Sequence, residues 1–216
     1  MRSRVLTVIA GIAGLLALPV SAQRQEAKDV LDKTSAHFRK AGGVEAGFTV
    51  RIKAKGQKKD GLLACKIRLK GDKFVLETMD AITWFDGKTQ WSYLTDSEEV
   101  NISNPTEEEL NGINPYTLLS VYEKGFACTS GKTRTWQGAS VHEVVLTATD
   151  KTREMSKLTL YVERGTYRPL YILAELNNGS RNEITVTGYR EGLKFDDSVF
   201  VFDKSKYPRA EIIDLR

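Results

Sequence analysis

Few side chains in this sequence have types and spacing suited to chemistry. There are two histidines, His37 and His142, and two cysteines, Cys65 and Cys128. No CxxC spacing exists, and two histidines far apart do not complete a tetrahedral donor set, so no metal centre is expected. Gly138-Ala139-Ser140-Val141-His142 has the outline of the G-x-S-x-G turn of a hydrolase. His142 replaces its second glycine, however, and a strand pattern follows where a helix is required. His37 falls late in a helical stretch, where a cation suits the helix dipole. Asp196-Asp197 and Glu98-Glu99 sit near turns and read as solvated acids, not as an acid–base pair. No GxxxxGK[ST] loop is present to cradle a nucleotide. Neither an enzyme nor a bound cofactor is expected. Cys65 and Cys128 leave two possibilities, a disulfide closing a long loop or two buried thiols on different strands.

The elements that must position the remaining candidates begin after an export signal. Arg2 and Arg4 precede the uncharged apolar run Val5–Val20, and Val20-Ser21-Ala22 offers the small residues that a signal peptidase reads. Cleavage after Ala22 is expected to leave residues 23–216 as a single domain. The two arginines lost with residues 1–22 lower the net charge from +4 to +2. That is too little for a concentrated basic face, so no nucleic-acid partner is expected. No later apolar run reaches the roughly 18 residues of a membrane span. Hydrophobic residues at 41% and charged residues at 28% fit a folded domain rather than a disordered one. Gln23 follows the cleavage site where a lipid-anchored protein would carry cysteine, so a soluble exported protein without its own lipid anchor is expected, and it is expected to be a monomer.

Helical spacing over Glu26–Lys40 ends at Gly42-Gly43. Alternation then predicts strands over Phe48–Ala54 and Leu63–Leu69, joined by a polar loop, and further strands at Phe74–Thr78, Ile82–Phe85, Thr89–Leu94 and Glu99–Ile102. Acids after Thr106 and the pair Asn114-Pro115 signal short helices. Leu118, Leu119 and Tyr122 share one face of the second. Strands resume at Phe126–Ser130, Ser140–Thr149, Lys157–Glu163, Leu170–Asn177, Arg181–Tyr189 and Ser198–Phe202. Asn178-Gly179 marks a hairpin. About eleven amphipathic antiparallel strands with few helices can curl into a sheet with a partly covered apolar face. Alternating apolar residues are in themselves ordinary core. The basic run Arg51–Lys59 reads as a solvated hairpin face or as an approach to anionic lipid headgroups.

The stretch Asp86-Gly87-Lys88-Thr89-Gln90-Trp91-Ser92-Tyr93 resembles the hairpin of the periplasmic lipoprotein carrier (LolA) family. The order of parts resembles it too, from Phe48-Thr49 through the Asn-Pro helix with Leu118-Leu119 to Leu158–Val162 and Phe195–Phe202. The resemblance implies an unclosed antiparallel β-barrel with a helical lid. It implies a periplasmic carrier that shields the acyl chains of lipoproteins, receives them from an inner-membrane ABC-type exporter and delivers them to an outer-membrane acceptor. A lipid-sensing or other hydrophobic-ligand module on the same scaffold is the alternative. Residues expected to line the acyl cavity are Phe48, Val50, Ile52, Ile67, Leu69, Phe74, Leu76, Trp91, Tyr93, Leu160 and Val162, with Leu118, Leu119 and Tyr122 in the lid. The family's lid-latching arginine has Lys70 at the matching place. Lysine lacks a bidentate fork, so Arg68 on the same strand face is the substitute latch.

Overall fold

The computed structural model describes residues 20–106, 109–110 and 125–216. The expected lid residues Leu118, Leu119 and Tyr122, the helix start expected at Asn114-Pro115 and most of the expected export signal lie outside the described residues. Helix α1 runs over Val20–Lys40, several residues longer at its start than the periodicity predicts. No Gly or Pro between Val20 and Gln25 breaks it. Its end is set by Gly42, whose φ of +71° is the left-handed cap that glycine adopts freely. Gly43 then has no room for a Cβ, which would stand 2.2 Å from the Leu193 carbonyl oxygen. The glycine pair therefore both stops the helix and seats the first strand against its neighbour.

The strands are β1 (Gly43–Lys53), β2 (Gly61–Lys70), β3 (Lys73–Glu77), β4 (Ala81–Phe85), β5 (Gln90–Leu94), β6 (Glu99–Ser103), β7 (Phe126–Ser130), β8 (Arg134–Trp136), β9 (Ala139–Ala148), β10 (Met155–Glu163), β11 (Pro169–Leu176), β12 (Arg181–Leu193) and β13 (Glu211–Asp214). They form one 13-stranded sheet in the order β13-β6-β5-β4-β3-β2-β1-β12-β11-β10-β9-β7, with β8 attached to β9. The sheet is unclosed, and antiparallel except where β13 runs parallel to β6. The predicted turns form as expected. Asp86 accepts from the backbone N–H groups of Lys88 and Thr89, and Gly87 takes a φ of +101°. Asn178-Gly179 closes the hairpin between β11 and β12.

Three elements differ from expectation. Ser198–Phe202 is not a strand: Asp197–Phe200 is a 3-10 turn capped by Asp196, whose carboxylate accepts from the Ser198 N–H. A short acid that satisfies a backbone donor locally competes with a ladder, and here it wins. Strands β8 and β13, of three and four residues, are too short to leave a pattern in the sequence.

Most of the apolar area on each face of the sheet is covered. Ala27, Val30 and Leu31 of α1 pack on Phe126, Val144, Leu146, Leu158, Leu160, Val162 and Ile172, which defines the inner face at the β7–β11 side. The same face continues across β1–β4 as Val44, Ala46, Phe48, Ile67, Leu69, Phe74 and Phe85, met by Phe38 in the last turn of α1 and Ala41 just after it. The outer face of β3–β6 carries Val75, Trp84, Val100 and Ile102, covered by the C-terminal segment through Phe200, Phe202, Tyr207 and Ala210.

Candidate functional site, an apolar inner face

The parity of the ladder decides which expected cavity residues meet. Phe48 pairs with Cys65 and Val50 with Leu63, while Ile67 pairs with Leu76 and Leu69 with Phe74. Directly opposed residues project from the same face, so Phe48, Val50, Ile52, Ile67, Leu69, Phe74 and Leu76 share the inner face. On the far side of β1, Val50 pairs with Ile184 and Phe48 with Val186. Ile172 then joins Ile184 to Leu160. Leu160 and Val162 belong to the same surface, beneath α1.

Trp91 and Tyr93 do not. Trp91 pairs with Trp84, and Trp84 with Val75, which places both aromatics of the hairpin motif on the outer face. There Tyr93 lies against Tyr207 at a ring separation of 4.6 Å, and Trp91 packs beneath Phe202 and Tyr207. Their expected place in the cavity is corrected by register. The same alternation that sets Phe74 inward turns Val75 outward, and Trp91 follows Val75 through two tight turns.

Burial divides the residues that remain. Ile67, Leu69, Phe74, Leu160 and Val162 are at most 1% exposed and serve as core. Val50 and Leu76 are half-buried and Ile52 is 37% exposed. With Leu63, Cys65, Ile184 and Val186 they form an apolar lip where the β1–β2 hairpin extends past the helix-covered core. Leu63, Cys65, Ile184 and Val186 are not among the expected cavity residues. Alternation in β2 and β12 contains them, but only the pairing assigns them to this face.

The inner face turns polar beyond β3. Thr83, Gln90, Ser92, Asn101 and Ser103 occupy its continuation across β4–β6. The Thr83 and Ser92 hydroxyls lie 3.3 Å apart, and Gln90 Nε2 donates to Ser92 Oγ at 3.2 Å. Gln90 Oε1 is buried and has no hydrogen-bond partner among the described residues. An open pocket of about 670 Å³ lies here, lined by Gln90, Ser103, Asn104, Pro105, Glu109, Leu215 and Arg216, and not over the apolar lip. Thr106 and Glu109 form a reciprocal cap beside it. The Thr106 N–H donates to the Glu109 carboxylate at 2.7 Å, and the Glu109 N–H donates to Thr106 Oγ1 at 3.3 Å. That cap aims Leu110 at the inner-face cluster.

The two latch candidates turn away from the inner face. Arg68 pairs in register with Val75 and its guanidinium meets Glu77, on the outer side. Lys70 Nζ donates to the Phe195 carbonyl and to Asp197 Oδ1, each at 2.8 Å, and Lys73 Nζ reaches Asp197 Oδ2 at 2.7 Å. The two lysines hold the Asp197 carboxyl down to about 2. This is a clasp on the C-terminal segment, not on the inner face, because residues 68 and 70 have the opposite parity to Ile67 and Leu69.

The cysteines are both free. Cys65 belongs to the β1–β3 inner cluster, where burial pushes its thiol up, and Cys128 to the cluster under α1, so no disulfide links them. His37 Nε2 lies 2.8 Å from Glu191 Oε2 and ties the end of α1 to β12. His142 stacks on Tyr167, and burial lowers its pKa. Among the described residues no group of three His, Cys, Asp or Glu side chains is placed to hold a metal. No described helix is long and apolar enough to cross a membrane.

A single unclosed sheet with an apolar inner face beneath a helix defines an open half-barrel class of fold. The chain belongs to the outer membrane lipoprotein carrier protein LolA family, which it matches over residues 18–178. In fold it is similar to an uncharacterized conserved protein from Thermus thermophilus, at 12% identity and a TM-score of 0.61, covering 88% of this chain and 99% of that one. Weaker likenesses include a putative outer membrane lipoprotein-sorting protein domain from Vibrio parahaemolyticus, at 14% identity, a TM-score of 0.49, and coverage of 86% and 100%. A LolA superfamily protein from Nitrosomonas europaea is similar at 12% identity and a TM-score of 0.44, covering 82% and 97%. No curated protein sequence matches the chain.

Proposed function

We propose that this protein is a periplasmic carrier that shields the acyl chains of lipoproteins and moves them from the inner to the outer membrane. The observation that carries this reading is the half-open lip of Val50, Ile52, Leu63, Cys65, Leu76 and Ile184. It is continuous with a fully buried apolar face, in a chain of the lipoprotein carrier family. Each methylene sheltered there is worth about 0.8 kcal/mol, so an acyl chain gains firm binding once it enters. The polar continuation at Gln90, Ser92 and Ser103 suits the ester and amide end of a lipidated cysteine, and Gln90 Oε1 has no donor among the described residues.

The export signal is cleaved after Ala22, cargo arrives from an ABC-type exporter and leaves to an outer-membrane acceptor, and the protein works as a monomer. Leu118, Leu119 and Tyr122 are the residues this reading assigns to the lid. Release of a radiolabelled lipoprotein from spheroplasts into a soluble one-to-one complex with the added mature protein tests this reading. Wild type is expected to release it and Leu118→Asp/Tyr122→Asp to fail. Cargo that stays in the membrane with folded wild-type protein overturns the reading.

A further inference from the structure

The end of the sheet at which the β1–β2 hairpin lies combines free cations with bare apolar side chains. Strand β3 first pairs with β2 at Lys66, whereas β2 continues to Gly61. The hairpin therefore projects past its last pair with β3 by five residues, or about 16 Å at the strand rise. Among the described residues, Gly61–Cys65 have no strand on that side. Along this step Leu62 is 65% exposed, Met79 on the adjacent turn 80%, and Ile52 37%. Such side chains, gathered at one edge, are not accounted for by the scattered apolar exposure of an ordinary surface.

Charge is gathered at the same place. Arg51, Lys53, Lys55, Lys58 and Lys59 follow one another with no acid until Asp60. Asp60 is taken by Arg51, and Glu183 on the neighbouring strand by Lys53. Lys55, Lys58 and Lys59 have no ion pair among the described residues, and Lys58 and Lys59 are fully at the surface. The Lys55 stem lies over Gly179 and its N–H reaches Ser180 Oγ at 3.4 Å, so the hairpin is braced on the β12 side and open on the β3 side. Leu62, opposite Arg51, stands on the outer side of this end, while Ile52 on the inner side continues through Val50, Leu63 and Cys65 directly to the core.

We propose that this end docks on an anionic lipid bilayer, with Lys55, Lys58 and Lys59 at the headgroups and Leu62 and Met79 dipping into the interface. The occupant is a lipid surface because unpaired cations set beside exposed apolar tips complement anionic headgroups over hydrocarbon. Docked this way, the lip of the inner face meets the membrane, and an acyl chain passes between the two without crossing water. The proposal extends the carrier reading, which supplies its purpose, but binding to empty vesicles is independent of cargo.

The test is sedimentation of the mature protein with phosphatidylcholine vesicles, with and without phosphatidylglycerol. Binding is expected only with phosphatidylglycerol and is expected to fall as salt rises. Neutralising the lysines (Lys55→Gln, Lys58→Gln, Lys59→Gln) should weaken binding by roughly fivefold per charge. Leu62→Ser/Met79→Ser should weaken it with no change in melting temperature, since both side chains stand in water. No binding to either vesicle, or equal binding to both, overturns the proposal. In the first case the lysines act only to protect an open strand edge. Vesicle binding without uptake of a fluorescent fatty acid would leave the docking surface standing and remove the carrier reading. The reverse result would do the opposite.

Discussion

Phe200→Ala tests whether the C-terminal segment is structural cover or a loose tail. Phe200 is 0% exposed and packs against Val75 and Trp84, themselves 1% and 8% exposed. Its ring meets Phe195 edge-on at 5.9 Å and 89°. Truncating a fully buried Phe costs about 3–5 kcal/mol, the lost transfer energy plus the cavity that the sheet beneath cannot fill. For a domain of this size each kcal/mol lowers the melting temperature by about 2–4 °C, so the expected fall is roughly 6–20 °C. The neighbouring Val201 is 37% exposed. Val201→Ala should therefore change stability by no more than about 0.5 kcal/mol. Urea melts followed by the fluorescence of Trp84 and Trp91, both under the segment, measure the two side by side. A loss below about 1 kcal/mol for Phe200→Ala, or equal losses for both variants, would refute the assignment of this segment as the cover of the outer face.

Further expectations concern the clasp, the first strand and the thiols. The Asp197 carboxyl is held down to about 2 by Lys70 and Lys73, so its contribution to stability is full above its ordinary value of 3.8 and is lost as pH falls towards about 2. Asp197→Asn should flatten the pH dependence of the urea midpoint in that window, and an unchanged slope would show that the clasp contributes nothing. Gly43→Ala would set a Cβ 2.2 Å from the Leu193 carbonyl oxygen and 2.7 Å from the Phe195 ring, so it should lower the melting temperature well beyond the same change at exposed Gly56. Thiol titration of unfolded, unreduced protein should find both cysteines free. In the native state Cys65 should react more slowly than a free thiol, because burial raises its pKa.

Much of the sheet is legible because alternation is a local signal. Phe48, Val50 and Ile52 on one strand and Cys65, Ile67 and Leu69 on the next announce one apolar face, and Asp86-Gly87 and Asn178-Gly179 announce their turns. What stays hidden depends on partners. Trp91 and Tyr93 reveal that they share a face, but which face is set by the register through Trp84 and Val75. The Val-Phe-Val-Phe run after Ser198 alternates like a strand, yet the Asp196 cap bends it into a turn whose Phe200 serves the core. Glu211–Asp214 is a strand only because β6 offers it an edge. Lys70 suits a lid latch by its place in the chain, but pairing turns its side chain to Asp197 and the C-terminal segment. The site follows the same rule: core members such as Ile67 and Leu160 are found by pattern, whereas the open lip at Leu63, Ile184 and Val186 needs the third dimension.

The most direct measurement is native mass spectrometry of the protein purified from bacterial cells, wild type beside Val50→Asp. Val50 is half-buried on the lip, so a carboxylate there can stay solvated and leave the fold intact while repelling an acyl chain. Wild type is expected to carry one diacyl or triacyl species per chain, and Val50→Asp to carry none at an unchanged melting temperature. Wild-type protein free of lipid, or lipid retained in full by folded Val50→Asp, would contradict an acyl-binding inner face.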